Sequence, residues 1–374
     1  MELPPGAPHA LHRLLDDFSA GRPAALARVV SMVENGRAGA DLLLAAMHSR
    51  VGRARRIGIT GPPGAGKSTL TTRLAALLRE QGLTVGIVAV DPTSPFSGGA
   101  LLGDRVRMEA VALDPGVFIR SMATRGSLGG LAGTTREVCD VLDAFGLDRI
   151  LIETVGVGQS ELDIARTADT SLVVLVPEAG DSIQTLKAGL MEIADVFVVN
   201  KADRPGADRL RMDIELMLGL RGGHALKNIP AHHGVDLRRL GTPATPEVHG
   251  SAHGSASGDD AHVEADDKRR WTQPVLRSVG ITGDGLSELL SALDAHYGYL
   301  ERSGELDVRR RARLRERVKD VVFQRLACRL WSDPATTAWI DAQVADLATG
   351  RTTPYAVADA LLRRSGALMT GESA

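Results

Sequence analysis

The chain has 374 residues, a formal net charge of −2 and two cysteines, Cys139 and Cys328. This length fits one large α/β domain with appendages or two domains, and the near-neutral charge excludes a general attraction to nucleic acid or to an anionic membrane. No apolar run reaches membrane-spanning length, and the first residues lack a signal-peptide pattern, so we expect a cytoplasmic protein that does not bind membranes.

The first 50 residues contain three stretches with apolar residues at helical spacing. They run over 11–18, 24–33 and 41–47, and glycine, proline and asparagine separate them. We predict a helical extension over residues 1–50 that packs on the domain after it.

A glycine-rich turn follows at residues 57–69, where an apolar run leads into Gly-Pro-Pro-Gly-Ala-Gly-Lys-Ser-Thr. This is the phosphate-binding pattern G-x-x-x-x-G-K-[ST] between a strand and an amphipathic helix. Glycines let successive backbone N–H groups point at phosphate oxygens, and the helix start adds its positive dipole end. We predict that Lys67 reaches the β/γ-phosphates and that Ser68 binds Mg²⁺. The predicted phosphate-binding residues are Gly61, Pro62, Pro63, Gly64, Ala65, Gly66, Lys67, Ser68 and Thr69.

Apolar runs alternate with helical patterns from residue 57 to about 205. Runs rich in valine, isoleucine and leucine indicate parallel strands that are buried on both faces, hence a doubly wound α/β sheet. Ligands of such sheets bind at the carboxyl ends of the strands. The predicted strands are Arg56–Thr60, Val85–Val90, Val117–Arg120, Arg149–Glu153, Ser171–Val176 and Val196–Asn200.

The base-binding signal is Asn200-Lys201-Ala202-Asp203, an N-K-x-D sequence after an apolar strand. The Asp203 carboxylate can accept hydrogen bonds from guanine N1–H and the exocyclic amine, which adenine does not offer in that arrangement. We expect Asn200 to tie this loop to the phosphate-binding loop and Lys201 to cover the base. Ser278, Val279 and Gly280 stand where guanine-binding proteins contact the O6 atom.

Two carboxylates end predicted strands near the phosphate site. Asp91 follows the second strand and Glu153 ends the fourth, so both are candidates for Mg²⁺ or for the attacking water. Gly156 lies three residues after Glu153, and its N–H could touch a γ-phosphate. The alternative for Asp91 is a helix N-cap before Pro92.

After residue 220 the composition changes. Residues 231–269 contain five histidines without periodicity, which predicts a flexible surface insertion and leaves open a metal-binding loop. A last strand over Trp271–Val279 and a helix over Leu286–Leu300 complete the predicted nucleotide domain at 51–300. Residues 301–374 predict a helical arm whose apolar stripe suggests a dimer or partner surface, while its basic run is typical of a solvated helix face.

Three long motifs resemble the switch segments of the MeaB/ArgK GTPases. Residues 91–99 with 102–108 resemble the first switch, residues 153–161 the second, and residues 178–187 a third that is peculiar to this group. The resemblance extends from about residue 10 to 365, with the histidine-rich insertion as an interruption.

The resemblance implies a homodimeric GTPase chaperone that binds an adenosylcobalamin-dependent acyl-CoA mutase, such as methylmalonyl-CoA mutase, and gates cofactor loading, protection or reactivation. Its P-loop NTPase fold would be flanked by the N-terminal helices and a C-terminal dimerisation arm. It also implies that Asp91, Asp104 and Glu153 surround Mg²⁺ and the water, with Lys67 as a further catalytic residue. The implied switch residues are Gln159, Asp181 and Lys187.

Three other functions stay open. A GTPase that inserts nickel or zinc would use the histidine-rich insertion, and a P-loop kinase would transfer the γ-phosphoryl group to a small substrate. A scaffold without hydrolysis would not need the lysine, hydroxyl and carboxylates that the chain retains. Because no glutamine directly follows Gly156 and no arginine finger is evident, we predict slow intrinsic hydrolysis.

Overall fold

The computed structural model describes residues 1–92, 108–124, 130–154, 164–177, 189–221 and 271–364. The chain divides into two compact units, Met1–Arg309 and Arg310–Ala374. The histidine-rich stretch at 231–269 lies outside the described residues. Across the six described ranges, every helix is too short or too polar to cross a lipid bilayer.

The first unit contains seven strands and the helices around them, within the described ranges. The strands are β1 (Arg55–Thr60), β2 (Val85–Pro92), β3 (Val117–Thr124), β4 (Arg149–Thr154), β5 (Thr170–Leu175), β6 (Val196–Val199) and β7 (Val275–Arg277). The helices are α1 (His9–Ser19), α2 (Pro23–Glu34), α3 (Ala40–Met47), α4 (Lys67–Glu80), α5 (Glu109–Ala112), α6 (Gly130–Phe145), α7 (Met191–Ile193), α8 (Ala207–Arg221), α9 (Leu286–Ser303) and the first turn of α10 (Glu305–Ser332).

The strands form one sheet in the order β3-β2-β4-β1-β5-β6-β7, and every pairing is parallel. Strand β1 lies in the middle, with Ile57 opposite Leu151 of β4 and Thr170 of β5. The carboxyl ends of all seven strands therefore point to the same edge. The doubly wound parallel sheet predicted from the sequence is confirmed.

Helices cover both faces of the sheet, and successive residues of each strand point to opposite faces, so nearly every described residue of the inner strands is buried. In β5, Leu172 and Val174 belong to the core beneath α4 and α9, whereas Val173 and Leu175 belong to the core beneath α8. This explains the near-continuous aliphatic runs in the sequence.

The three N-terminal helices share a core with α6 and the sheet face that it covers. Leu26, Val30 and Leu43 pack in one cluster with Val138 and Leu142 of α6. The first 50 residues are therefore part of the first unit.

Two buried carboxylates organise the amino ends of the strands. The first is Asp143 of α6, which is 1% exposed. It accepts hydrogen bonds from the backbone N–H groups of Gly52, Arg53 and Ala54 at 2.8, 3.0 and 2.9 Å, and from the Arg56 guanidinium at 3.0 Å. Burial acts to lower the pKa of Arg56, but Asp140 and Asp143 raise it above its ordinary value.

The second is Asp195, directly before β6. It accepts from Ser171 N at 2.8 Å and from the Arg309 guanidinium at 3.1 Å. Its carboxylate also lies 3.2 Å from Nε2 of His296, whose Nδ1 is 2.9 Å from the Thr170 hydroxyl. His296 is fully buried, so this network joins β5, β6, α9 and α10 inside the first unit.

The structure corrects the ends of all seven predicted strands. Strand β3 continues past Arg120 to Thr124 and β2 past Val90 to Pro92, while β1, β4 and β5 shift by one residue at one or both ends. Strand β6 stops at Val199, one residue before the predicted end. The Asn200 backbone N–H still donates to Leu175 O at 2.8 Å, while its side chain bonds to Ala65 O of the phosphate-binding loop.

The strand predicted over Trp271–Val279 pairs only over Val275–Arg277. Before it, Pro274 has no N–H for a ladder, and the Trp271 indole N–H donates to Asp195 O instead.

The second unit contains the remainder of α10, followed by α11 (Pro334–Ala348) and α12 (Pro354–Arg364) in its described part. Asp333 is the N-cap of α11 and accepts from Ala335 N and from the Thr336 hydroxyl at 3.1 Å each. Large apolar side chains of α10 are exposed, among them Val318, Val322, Phe323 and Trp331.

Candidate functional site

The predicted phosphate-binding loop lies between β1 and α4 at the carboxyl edge of the sheet. Gly61, Gly64 and Gly66 have φ angles of 139°, 74° and 86°, in the region that favours glycine. A Cβ on Gly61 would collide with the carbonyl group of Val174, and one on Gly66 would collide with the Asn200 side chain. The backbone conformation therefore favours glycine at all three positions, and Gly61 and Gly66 are also required by close packing.

Lys67 is the first residue of α4, and its ammonium group folds back over the loop. It donates to the carbonyl oxygens of Gly61 and Pro62 at 2.7 and 2.9 Å. Only 6% of the side chain is exposed. The ammonium group is thus held above the backbone cradle, where phosphate oxygens can replace the carbonyls as its partners.

Ser68 and Glu153 meet at the end of β4. The Ser68 hydroxyl donates to Glu153 Oε1 at 2.5 Å, and Glu153 is 7% exposed. Beside them, the Thr154 hydroxyl donates to the Thr60 hydroxyl at 2.9 Å. A hydroxyl and a carboxylate oxygen are hard donors of the kind that Mg²⁺ prefers, so these two residues fit this ion.

Asn200 joins three loops. Its Nδ2 donates to Ala65 O of the phosphate-binding loop at 2.8 Å. Its Oδ1 accepts from the Ser278 hydroxyl at 3.2 Å and from Gly280 N at 3.1 Å. Because Asn200 is only 2% exposed, it holds these loops together from within.

The other residues of the N-K-x-D sequence differ in exposure. Lys201 and Ala202 are half-buried and Asp203 is exposed, and Lys201 has φ 54°, in the left-handed region. The backbone N–H of Ala202 donates to Ser278 O at 3.0 Å. The loop after β6 and the loop after β7 therefore stand side by side next to the phosphate-binding loop.

The backbone of Ser278, Val279 and Gly280 is bonded within the protein. Ser278 N donates to Val199 O at 2.9 Å, and Val279 N donates to Asp284 O at 3.0 Å. A contact from the Val279 amide to guanine O6, as anticipated from the sequence, would require that second bond to be exchanged.

Several predicted site residues cannot be placed. Asp91 is the next-to-last residue of β2, at the same edge as the phosphate-binding loop, but its side chain lies outside the described part. Asp104, Gly156, Gln159, Asp181 and Lys187 also lie outside the described residues.

Sequence reasoning did not select Thr60 and Thr154, which link β1 to β4 beneath the site. The available signal was a threonine at the end of one predicted strand and directly after the end of another. In the portion of the chain that the structure covers, no group of three or more histidine, cysteine, aspartate or glutamate side chains could hold a metal ion.

Comparison with known proteins identifies the family. The family model described as "Methylmalonyl Co-A mutase-associated GTPase MeaB" matches residues 26–335. A Pyrococcus horikoshii protein whose name includes the word GTPase is 44% identical over 312 residues, which cover 83% of this chain and 86% of that protein. The GTPase ArgK of Escherichia coli is 42% identical over 187 residues, covering 49% of this chain and 56% of its own length.

The fold is also known from a solved structure. The crystal structure of an LAO/AO transport system kinase aligns with a TM-score of 0.62 over 97% of this chain and 99% of its own, at 24% identity. At that identity the likeness shows the fold alone. The glycine-rich cradle with Lys67 and Ser68, the Asn200 junction and the match over 26–335 together lead to one conclusion: the chain belongs to the MeaB family of GTPases and is a GTP hydrolase.

Proposed function

We propose that this GTPase is a chaperone for an adenosylcobalamin-dependent acyl-CoA mutase, methylmalonyl-CoA mutase or a relative. The observation that carries the proposal is the match of residues 26–335 to a family described by its association with methylmalonyl-CoA mutase. GTP binding and hydrolysis would be coupled to cofactor loading, protection or reactivation of the mutase.

The hydrolytic site works mainly by position and charge, as phosphoryl transfer requires. The loop amides and Lys67 would neutralise the charge that develops on the phosphate oxygens. Ser68 and Glu153, with Asp91 and Asp104 as further carboxylates, would hold Mg²⁺, which supplies charge neutralisation at the β- and γ-phosphates. The close pair of Ser68 and Glu153, 2.5 Å apart, supports this assignment.

Base recognition belongs to the loops that Asn200 holds together. Asp203 would accept from the guanine N1–H and amino groups, and Lys201 would cover the base. Ser278, Val279 and Gly280 would line its O6 side. The support is their common attachment to Asn200 and to the loop after β6.

Coupling to the mutase would use the segments that contain Gly156, Gln159, Asp181 and Lys187. Segments in contact with a γ-phosphate order in the triphosphate state and relax after hydrolysis. Intrinsic hydrolysis would be slow and would accelerate when the mutase reorders these segments. The helices after residue 301 would form a homodimer through the apolar side chains of α10.

Single-turnover GTP hydrolysis with and without the mutase tests the coupling. We expect a faster rate constant with the mutase, and a rate constant about 10²–10³-fold lower for Lys67→Ala in either case. Equal rates for the natural sequence would contradict the chaperone function but would leave the GTPase assignment intact. Labelled γ-phosphate that arrives on a small molecule rather than in water would favour a kinase.

A further inference from the structure

The loop after β7 forms a compact turn at residues 279–284. Val279 and Asp284 face each other in an antiparallel bridge, with Val279 N donating to Asp284 O at 3.0 Å and Gly283 N donating to Val279 O at 2.8 Å. The Thr282 hydroxyl adds a bond to Asp284 Oδ2 at 2.7 Å. These bonds define the shape of the turn, but its position beside the nucleotide site depends on contacts outside it.

Helix α4 supplies such contacts along one face. A Cβ on Gly280 would lie 3.4 Å from Thr69 Cγ2 and 3.5 Å from Leu70 Cδ2, so the backbone of the turn runs against the first turn of the helix. One turn further along, Arg73 Nη2 donates to Ile281 O at 2.8 Å. Leu70 and Arg73 are three residues apart and therefore lie on the same side of α4.

Arginine suits this contact for a physical reason. Its guanidinium is always charged, and a hydrogen bond from a charged donor to a carbonyl is stronger than one between neutral groups. The bond holds the tip of the turn, where the Ile281 side chain is 78% exposed and gives no apolar anchorage. Without Arg73, only the attachment at Gly280 joins the turn to α4 among the contacts described above.

We propose that Arg73 is a positioning residue for guanine recognition. Helix α4 begins with Lys67 and Ser68, which bind the phosphates, and Arg73 makes the same helix hold the turn on the base side. The phosphate-binding residues and the base-binding turn would thus already be in position before the nucleotide binds, which lowers the conformational entropy lost on binding. The inference rests on the proposed role of residues 278–280 in base binding.

The test compares Arg73→Ala with the natural sequence for both GTP and ATP. We expect GTP affinity to fall about 3- to 10-fold, the range for losing one hydrogen bond of this kind. Affinity for ATP, whose base lacks the guanine edge, stays unchanged, so the preference for GTP narrows. The KM for GTP rises while kcat stays unchanged, because the phosphate site is intact.

Two further variants sharpen the result. Arg73→Lys retains a charged donor and recovers most of the GTP affinity. Arg211→Ala removes another exposed arginine, paired with Glu215 on α8 at 2.9 Å, and leaves both affinities unchanged.

An equal loss of GTP and ATP affinity in Arg73→Ala would overturn the proposal, because it would indicate a general structural role. Unchanged GTP affinity would overturn it as well. If the natural sequence itself showed no preference for GTP over ATP, the base-binding function would fail, and that outcome is visible before any Arg73 variant is made.

Discussion

The two ends of the same parallel strands are built differently. At the amino ends, Asp143 and Asp195 are buried carboxylates whose oxygens are bonded to backbone amides and arginines. At the carboxyl ends, Lys67 donates to loop carbonyls and Ser68 donates to Glu153, and phosphate oxygens and a metal ion would replace these hydrogen bonds. Asp203 is exposed at the same end.

This difference separates stability from function along a single strand. Strand β1 starts in the Asp143 network and leads into Gly61, and strand β6 starts beside Asp195 and leads into Asn200. The buried carboxylates at the amino end already have partners within the protein. Substitutions there are expected to change the free energy of unfolding, whereas substitutions at the other end are expected to change nucleotide binding.

The largest effect is expected for Asp143→Ala. Three backbone N–H groups and the Arg56 guanidinium lose their acceptor inside the protein, so the free energy of unfolding should fall by about 3–5 kcal/mol. Urea denaturation measures it. Asp17→Ala, which removes a surface partner of Arg22, should cost less than about 1 kcal/mol. A loss of GTP affinity in folded Asp143→Ala protein would contradict the separation of stability from nucleotide binding.

Lys67→Ala should reduce GTP turnover and leave the free energy of unfolding nearly unchanged, the reverse of Asp143→Ala. The loss of its charge at the phosphates should reduce GTP turnover by about 10²–10³-fold, with little change in the urea midpoint. Rapid-quench hydrolysis and denaturation of the same preparation give both numbers. Lys319→Ala, which removes an exposed lysine paired with Glu316, is the matched control and should leave both unchanged. Normal turnover by Lys67→Ala would remove the phosphate-binding role.

A smaller effect is expected from Cys139, which lies in the buried amino-end region. Burial, opposed by the nearby Arg56, raises the pKa of its thiol from 9.0 to about 12. Above pH 9 the unfolded chain releases this proton while the folded protein keeps it, so stability falls as the pH rises towards 12. Relative to Cys139→Ala, the loss should reach about 1.4 kcal/mol per pH unit at most.

Urea denaturation from pH 8 to 11 measures that slope. Cys328→Ala removes the exposed thiol and serves as its control. Parallel pH curves for the natural sequence and Cys139→Ala would show that the amino end is not closed to solvent.

The sequence revealed the parts that short-range patterns encode. Strands, the glycine-rich turn and the start of α4 follow from local apolar runs and from the residues in between. The buried networks were not predictable, because Asp143 bonds to Ala54, 89 residues away, and Asp195 bonds to Arg309, 114 residues away. The spacing of apolar residues along the chain gives no information about contacts between residues so far apart. The last strand was drawn too long because the residues on either side of Val275–Arg277 do not continue the pairing with β6.

The most direct test of the guanine-binding account is Asp203→Asn, titrated calorimetrically with GTP and with xanthosine triphosphate. Asparagine keeps an acceptor for N1–H but presents an amide donor, which matches the 2-oxo group of xanthine and opposes the 2-amino group of guanine. We predict that GTP affinity falls about 10²-fold while xanthosine triphosphate affinity rises. Unchanged affinities for both nucleotides would contradict the account.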